Sequence, residues 1–388
     1  MNILMLAPEP FFQPRGTPIS VYFRLQALSD LGHRVTLITY PLGEDRIIPG
    51  LKIVRLPSLP GLRTIKIGPS LTKIPLDILL CGRAFGELAK GGYDLIFSHE
   101  EAALFGAWLA RLFGRPHLYD MHSSLPQQLE NFNFSRSPLL RTVFAWVERT
   151  ILRHSGSVIV ICRDLERQVK GLGYGGKAVF LENFLDFEAP APTAAEVRTK
   201  RQELAPGGEK IVLYAGNFLP YQGIPLLLEA AWHIKKGAVF VLLGGSGEEL
   251  GSMQARAQAL GLAGRVTFVR QVAPDRVPLF IAAADVLVSP RLAGTNTPLK
   301  IYSFLKSGKP LVATRLWTHT QVLDNQVAVL VRPNPQSLAE GLTFALFNPK
   351  AGDLARRAKA KADREYTPQA YLAKIREALN KACSLKAA

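Results

Sequence analysis

The chain has 388 residues, 48% apolar and 20% charged, which is a globular composition long enough for two domains and excludes a disordered chain. Its net charge of +16 divides into +4 on residues 1–190 and +12 on the remainder, a balance suited to phosphate-bearing small molecules or an anionic membrane surface. Cys81, Cys162 and Cys383 lie far apart with no CxxC pair, and no run of about eighteen uncharged apolar residues occurs, so a disulfide framework, a cysteine zinc site and a spanning helix are excluded.

The opening MNILMLAPEP lacks a basic n-region and a small-residue cleavage site, and it reads as a first strand rather than a signal peptide. Short β-rich apolar runs follow at 34–40, 51–56, 94–99, 117–122, 157–162 and 178–182. Many are continuously apolar, as strands buried on both faces should be. Val21, Leu25, Leu28 and Leu31 recur at helical spacing and stop at Gly32. Residues 187–210 hold Pro190, Pro192, Pro206 and a Gly-Gly pair, and read as a linker with a short helix inside. The pattern restarts with strands expected at 210–215, 238–243, 265–269, 284–289, 310–314 and 327–331, and helices at 225–234 and 275–283. Residues 368–382 form one more amphipathic helix. Two βαβ series in tandem predict two Rossmann-like, doubly wound parallel sheets, with ligands taken at the carboxyl ends of strands in a cleft. The expected division is 1–188, a linker at 189–209, a second domain at 210–366 and a closing helix at 367–388 that returns to the first domain.

The informative residues are therefore those just after strands. Gly16 precedes the first helix, where a backbone can approach an anion. GGSGEEL, with Gly244, Gly245 and Gly247, lacks the full dinucleotide spacing and reads as a flexible cradle or a plain turn. The stretch 289–314 combines a Gly–Thr–Asn–Thr loop, a helix with Asn296 or Thr297 as cap and Pro298 in its first turn, and the cations Arg291 and Lys300. That set suits a diphosphate or a sugar phosphate. In the first half, His99 and Glu100 end one strand, and Asp120 and His122 the next, at the edge of the expected cleft. His122 is placed to bond a substrate hydroxyl or to shuttle a proton. No Ser/His/Asp motif or HExxH spacing occurs, which disfavours hydrolase triads and zincins. The lack of an RNP-like aromatic run, zinc finger or helix-turn-helix argues against nucleic acid.

Taken together, RGTPISVYFRLQALSDLGHRVTLIT, SVIVICRDLERQV, LYAGNFLPYQGIPLLLEA, LLGGSGEEL, ADVLVSPR and KIYSFLKSGKPLVAT resemble, in order and spacing, the retaining glycosyltransferases of family four, which have the GT-B fold. The resemblance implies sugar transfer from a nucleotide-sugar with retained configuration and no metal or cofactor. By match to the family's motifs, Gly16 lies near the donor diphosphate, His122 near the transferred sugar, and Gly294, Thr295, Asn296 and Thr297 along sugar and phosphates, and the resemblance puts the acceptor on the first domain, with His99, Glu100 and Asp120 on its side. Gly216 and Gly245 fall in the donor-side motifs as well. The family's paired glutamates are here Thr295 and Ser303, and its diphosphate-clamping Arg and Lys are here Asn217 and Gln222. Arg291 and Lys300 are the expected replacements, Arg270 adds a further contact, and Ser303, Asn217 and Gln222 offer neutral hydrogen bonds. With His122, the two cations are the expected catalytic groups. A catalytically degenerate binding protein remains the alternative reading of these departures.

Residues 62–85 and 132–154 each mix apolar residues with Arg and Lys. Either an amphipathic helix on the sheet or a headgroup-layer segment has this pattern. With the basic balance, it points to a cytoplasmic protein peripheral on the membrane, acting on a lipid or lipid-linked saccharide of the cell envelope. A nicotinamide oxidoreductase, suggested only by GGSGEEL, and a GT-B epimerase or phosphorylase are the remaining alternatives.

Overall fold

The computed structural model describes residues 1–13, 16–58, 65, 70, 73–127, 137–182, 191–234, 237–245 and 247–384. It divides into two compact units, Met1–Asn183 with Gln369–Ala388, and Phe184–Pro368.

The first unit is a seven-stranded sheet of order β3-β2-β1-β4-β5-β6-β7, parallel throughout. Its strands are β1 (Asn2–Ala7), β2 (Arg34–Thr39), β3 (Leu51–Arg55), β4 (Leu95–His99), β5 (His117–Met121), β6 (Ser157–Val160) and β7 (Ala178–Phe180). Helices α2 (Lys73–Ala89), α3 (Ala102–Leu112) and α4 (Pro138–His154) cover the face that carries Leu4, Leu6, Ile96, Tyr119 and Met121. Pleat alternation sends Asp120 to the opposite face. There it meets α1 (Gly16–Asp30) and the closing helix Pro368–Ser384. Between α4 and that helix comes α5 (Arg163–Gly171).

The second unit is a six-stranded parallel sheet of order β10-β9-β8-β11-β12-β13. Its strands are β8 (Lys210–Ala215), β9 (Ala238–Gly245), β10 (Val266–Arg270), β11 (Val286–Ser289), β12 (Leu311–Thr314) and β13 (Val329–Val331). The helices are α6 (Ala194–Leu204), α7 (Ile224–His233), α8 (Gly247–Ala259), α9 (Val277–Ala283), α10 (Lys300–Lys306), α11 (Trp317–Thr320), α12 (Pro335–Phe347) and α13 (Lys350–Glu365). The closing helix is α14 (Pro368–Ser384). A buried apolar cluster of Val212, Phe240, Leu242, Val288, Leu227 and Leu342 joins this sheet to α7 and α12.

Helix α6 is the short helix expected within residues 187–210, capped by a Thr193–Glu196 box and tied to the second sheet's neighbourhood by Arg201, whose guanidinium donates to Asp285 at 3.0 Å and to the Ala283 carbonyl. Two local expectations change. Helix α10 starts two residues after Pro298, with Leu299 as N-cap and no side-chain cap from Asn296 or Thr297. Their loop is held by its backbone carbonyls instead. The residues at 275–276 form a 3₁₀ turn that leads into α9.

Candidate functional site

In each sheet the strand order reverses direction between two neighbours, β1/β4 in the first unit and β8/β11 in the second. Loops leaving such a pair part to opposite sides, which opens a crevice at the strand ends.

At the β8/β11 point, four chain segments converge. Gly216 ends β8 with φ +149°, and a Cβ there would stand 2.8 Å from Lys300 Nζ and 2.9 Å from Tyr214 Oη. Only glycine lets the lysine approach so closely. Lys300, on α10, lies 3.9 Å over the Tyr214 ring and 3.5 Å from Gln222 Oε1. Burial, and secondarily the charge of Arg291, hold its ammonium well below the usual lysine range. Arg291 leaves β11, places its guanidinium 4.9 Å from the Tyr221 ring, and donates from Nη1 to Asn296 O (2.8 Å) and Thr318 Oγ1 (2.9 Å). Its Nε and the Thr297 hydroxyl are buried without a hydrogen-bond partner. Among the described residues, no carboxylate pairs with either cation. Two neighbouring half-buried cations with no counter-charge destabilise a fold unless an anion joins them.

The Gly294–Thr297 loop is braced from α11. Thr318 Oγ1 donates to Asn296 O at 2.6 Å, and Gln321 Nε2 donates to Thr295 O. Beneath them His319 is fully buried, with Nε2 2.8 Å from Ser289 Oγ and Nδ1 donating to Thr314 O. Burial lowers its pKa to about 4. Sequence reasoning missed Thr318, His319 and Gln321, and their only signal is polarity in a short segment after a strand. Arg291 is thus part of the loop's scaffold as well as a source of charge.

The other donor-side candidates are less central. Gly245 packs its backbone against the Phe218 ring, which leaves no room for a Cβ. Asn217 is exposed, and its carbonyl accepts from Tyr214 Oη at 2.6 Å. Arg270 is exposed at the end of edge strand β10. Ser303 is partly buried, one turn beyond Lys300 on α10. Gly16 opens α1 with φ +47° and open space around it.

At the ends of β4 and β5, beside the β1/β4 point of the first unit, His99 Nδ1 and His122 Nε2 stand 3.2 Å apart, and both approach Asp120 Oδ2, at 3.5 and 3.4 Å. Asp120 and His99 have no exposure, contrary to the expected acceptor-side position. They point under the strand ends, where the Arg24 guanidinium donates to Asp120 Oδ2 at 2.8 Å and also to the Tyr371 hydroxyl from α14. Burial alone would raise the Asp120 pKa, but the charges of Arg24 and His122 hold it far below the carboxylate range. Burial lowers His99 to about 3. His122 is thus the outermost member of a fixed stack, with Asp120 and His99 as its support. Glu100 has φ +47°, a strained value for a residue with a side chain, and accepts from Ser123 Oγ at 3.0 Å. Glu9, just past β1, is 7% exposed with Oε1 unpartnered. Its pKa is raised, chiefly by burial and then by Glu100. Sequence reasoning did not single out Glu9.

His99, Asp120 and His122 bring three metal-ligand atoms within 4.8 Å of one another. The shared carboxylate oxygen already carries a guanidinium at 2.8 Å, and that fixed charge would repel a cation. These three residues therefore fit a hydrogen-bonded support better than a metal centre.

Comparison with known proteins bears on both halves. Residues 22–183 match the family described as "Glycosyl transferase 4-like domain", and residues 196–365 match "Glycosyl transferases group 1". A phosphatidyl-myo-inositol mannosyltransferase of Mycobacterium leprae is 25% identical over 374 residues, covering 94% of this chain and 93% of that protein. A sucrose-phosphate synthase from Thermosynechococcus elongatus superposes with a TM-score of 0.79 at 21% identity, over 99% of both chains. Anabaena HepE, solved in complex with UDP-glucose, superposes with a TM-score of 0.76 at 20% identity, over 98% of this chain and 99% of its own. Two family matches in this order, each seated on its own parallel Rossmann-like sheet, make the chain a member of the family-four glycosyltransferases of GT-B fold.

Proposed function

We propose that the protein moves a hexosyl group, with retention of configuration, from a nucleoside diphosphate sugar to a lipid or lipid-linked saccharide at the cytosolic membrane face. The observation that carries the donor half is the uncompensated pair Lys300 and Arg291 at the β8/β11 point. A diphosphate supplies the missing counter-charge, and its charge grows as the glycosidic bond breaks. Fixed cations already desolvated there stabilise that growth more than the ground state. Gln222, Thr297 and Ser303 offer neutral hydrogen bonds in place of the family's charged side chains. In the first unit, His122 is the group that would bond a sugar hydroxyl, held in one orientation by Asp120 and His99. The acceptor proton passes to the leaving diphosphate, and no metal takes part. The mycobacterial relative's name, which specifies a phosphatidylinositol acceptor, supports a lipid acceptor.

The test is thermal stabilisation by UDP, GDP, ADP and CMP and their common sugar conjugates, with and without a chelator. One nucleoside diphosphate and its sugar should raise the melting temperature, by about 3 kcal/mol of apparent stability at a hundredfold excess over Kd, unaffected by the chelator. Stabilisation that disappears with the chelator would overturn the metal-free reading. Strong donor binding with no turnover on any lipid acceptor would favour a catalytically degenerate protein, the reading that the loss of both glutamates supports.

A further inference from the structure

Helices α2, α3 and α4 lie side by side on one face of the first sheet. Phe85 of α2 meets Phe113 beyond α3 with ring centroids 5.4 Å apart, and Arg111 of α3 approaches His154 of α4 at 3.4 Å. The outer surface of this layer is unlike the rest of the molecule. Among the described residues, 11 of the 17 exposed large apolar side chains lie on these three helices. Ile78, Trp108, Leu139 and Trp146 are the most open of them, at 67, 57, 73 and 65%. Between α3 and α4 runs a groove of about 390 Å³ lined by Leu104, Phe105, Trp108 and Ile151, with Arg111 and His154 also in its wall.

The charges on the layer have one sign. Its exposed ionisable side chains are Arg83, Arg111, Arg141, Arg149, Arg153 and His154, while its acids Asp77, Glu87 and Glu148 are turned inward or partly covered. No described residue of the three helices is an exposed carboxylate. A second copy meeting this face through a two-fold axis would set arginine against arginine. An anionic bilayer complements it, since phosphates meet the guanidinium groups while tryptophans and aliphatics enter the headgroup boundary. Among the described residues no helix is long and apolar enough to cross a membrane, so the contact would be one of surface and not of span.

We propose that the α2–α3–α4 layer is the membrane-docking face of the protein, seated on an anionic lipid leaflet, with the α3–α4 groove accepting an acyl segment. This rests on the lipid-acceptor reading above and names the surface that would serve it. Residues 62–64, 66–69, 71–72 and 132–136 of the two amphipathic stretches lie outside the described residues.

The experiment is flotation of the full chain with vesicles of pure phosphatidylcholine and of phosphatidylcholine with one-third phosphatidylglycerol, at low and high salt. The wild type should float with the anionic vesicles at low salt and be released by salt or by removal of phosphatidylglycerol. The double variant Trp108→Glu/Trp146→Glu and the charge variant Arg111→Glu/Arg149→Glu should each bind at least tenfold more weakly. All four side chains are exposed, and circular dichroism confirms that the variants fold. Wild-type binding to neither vesicle, or variants that float as the wild type does, would overturn the proposal. So would sedimentation showing a wild-type dimer that the tryptophan variant dissociates, which would assign the face to a second copy. Nucleotide stabilisation, read on the same samples, separates the two inferences. Vesicle binding without any nucleotide shift removes the transferase reading and leaves the docking face, and the reverse pattern removes the docking face alone.

Discussion

Lys300 is the residue whose placement is hardest to explain by folding alone. Its ammonium sits over a tyrosine ring beside a half-buried arginine, and among the described residues Gln222 Oε1 is the one hydrogen-bond acceptor within reach. Replacing it with an apolar side chain of similar length should remove a desolvation penalty and also remove half of the cation pair. Lys300→Met is therefore expected to raise the melting temperature of the free protein while weakening nucleoside diphosphate binding about ten- to a hundredfold. Calorimetry and ligand titration on one preparation check both signs. A variant that loses stability and binding together would make Lys300 a structural residue. The sequence showed this cation because a lysine at the start of a helix after a strand can be seen by position. It did not show Arg24. That arginine falls three residues after Val21 and four before Leu28, on the apolar stripe of α1, and a charged residue on such a stripe signals a buried partner. The partner was Asp120, expected at an exposed strand end, but sequence position does not say which way a strand's last side chains are covered. Once α1 and α14 close over them, the pair is obligatory, since either charge alone would be buried and uncompensated, a cost of about 3–5 kcal/mol.

The strands were legible as elements because parallel strands buried on both faces read as short apolar runs, and all thirteen described strands fall within or beside the runs expected. Helix starts were less legible. Asn296 and Thr297 have cap chemistry, but here the loop carbonyls are claimed by Arg291, Thr318 and Gln321, so the helix begins later, at Lys300. Thr318 comes from, and Gln321 directly follows, α11, a four-residue element too short to leave a periodic signal. Its anchor is His319, which bridges the ends of β11 and β12 in neutral form. The folded-state pKa of about 4 lies below the ordinary 6.5, so the unfolded chain takes up the proton first as pH falls. The stability that His319 contributes is present above about pH 6.5 and is lost between there and about pH 4, amounting to about 3 kcal/mol. In His319→Gln that loss is absent. Denaturant unfolding of both proteins across this window should show the wild type's advantage shrinking with acid, whereas parallel curves would mean that the histidine is already charged in the fold.

At the scale of the whole molecule, the first unit is discontinuous in sequence, with its last helix arriving after the entire second unit. The linkage is physical. Tyr371, Ile375 and Leu379 of α14 are buried, the Arg24 guanidinium donates to Tyr371, Lys381 Nζ donates to the Ala178 carbonyl at 3.3 Å, and Gly156 has no side chain where Ala382 passes. Burial of three such side chains is worth on the order of 5 kcal/mol, a large part of the stability of an ordinary domain. Chain truncation after Pro368 removes all of this from one sheet and nothing from the core that joins the other to α7 and α12. The truncated protein should therefore lose amide-exchange protection in α1, β4 and β5, where the Arg24–Asp120 pair is uncovered, while β8, β9 and β11 keep theirs. Nucleoside diphosphate should still protect the β8/β11 loops, because Lys300 and Arg291 are held entirely within residues that remain. Equal loss of protection in both sheets would show instead that the two units unfold as one cooperative body and that α14 stabilises the molecule as a whole.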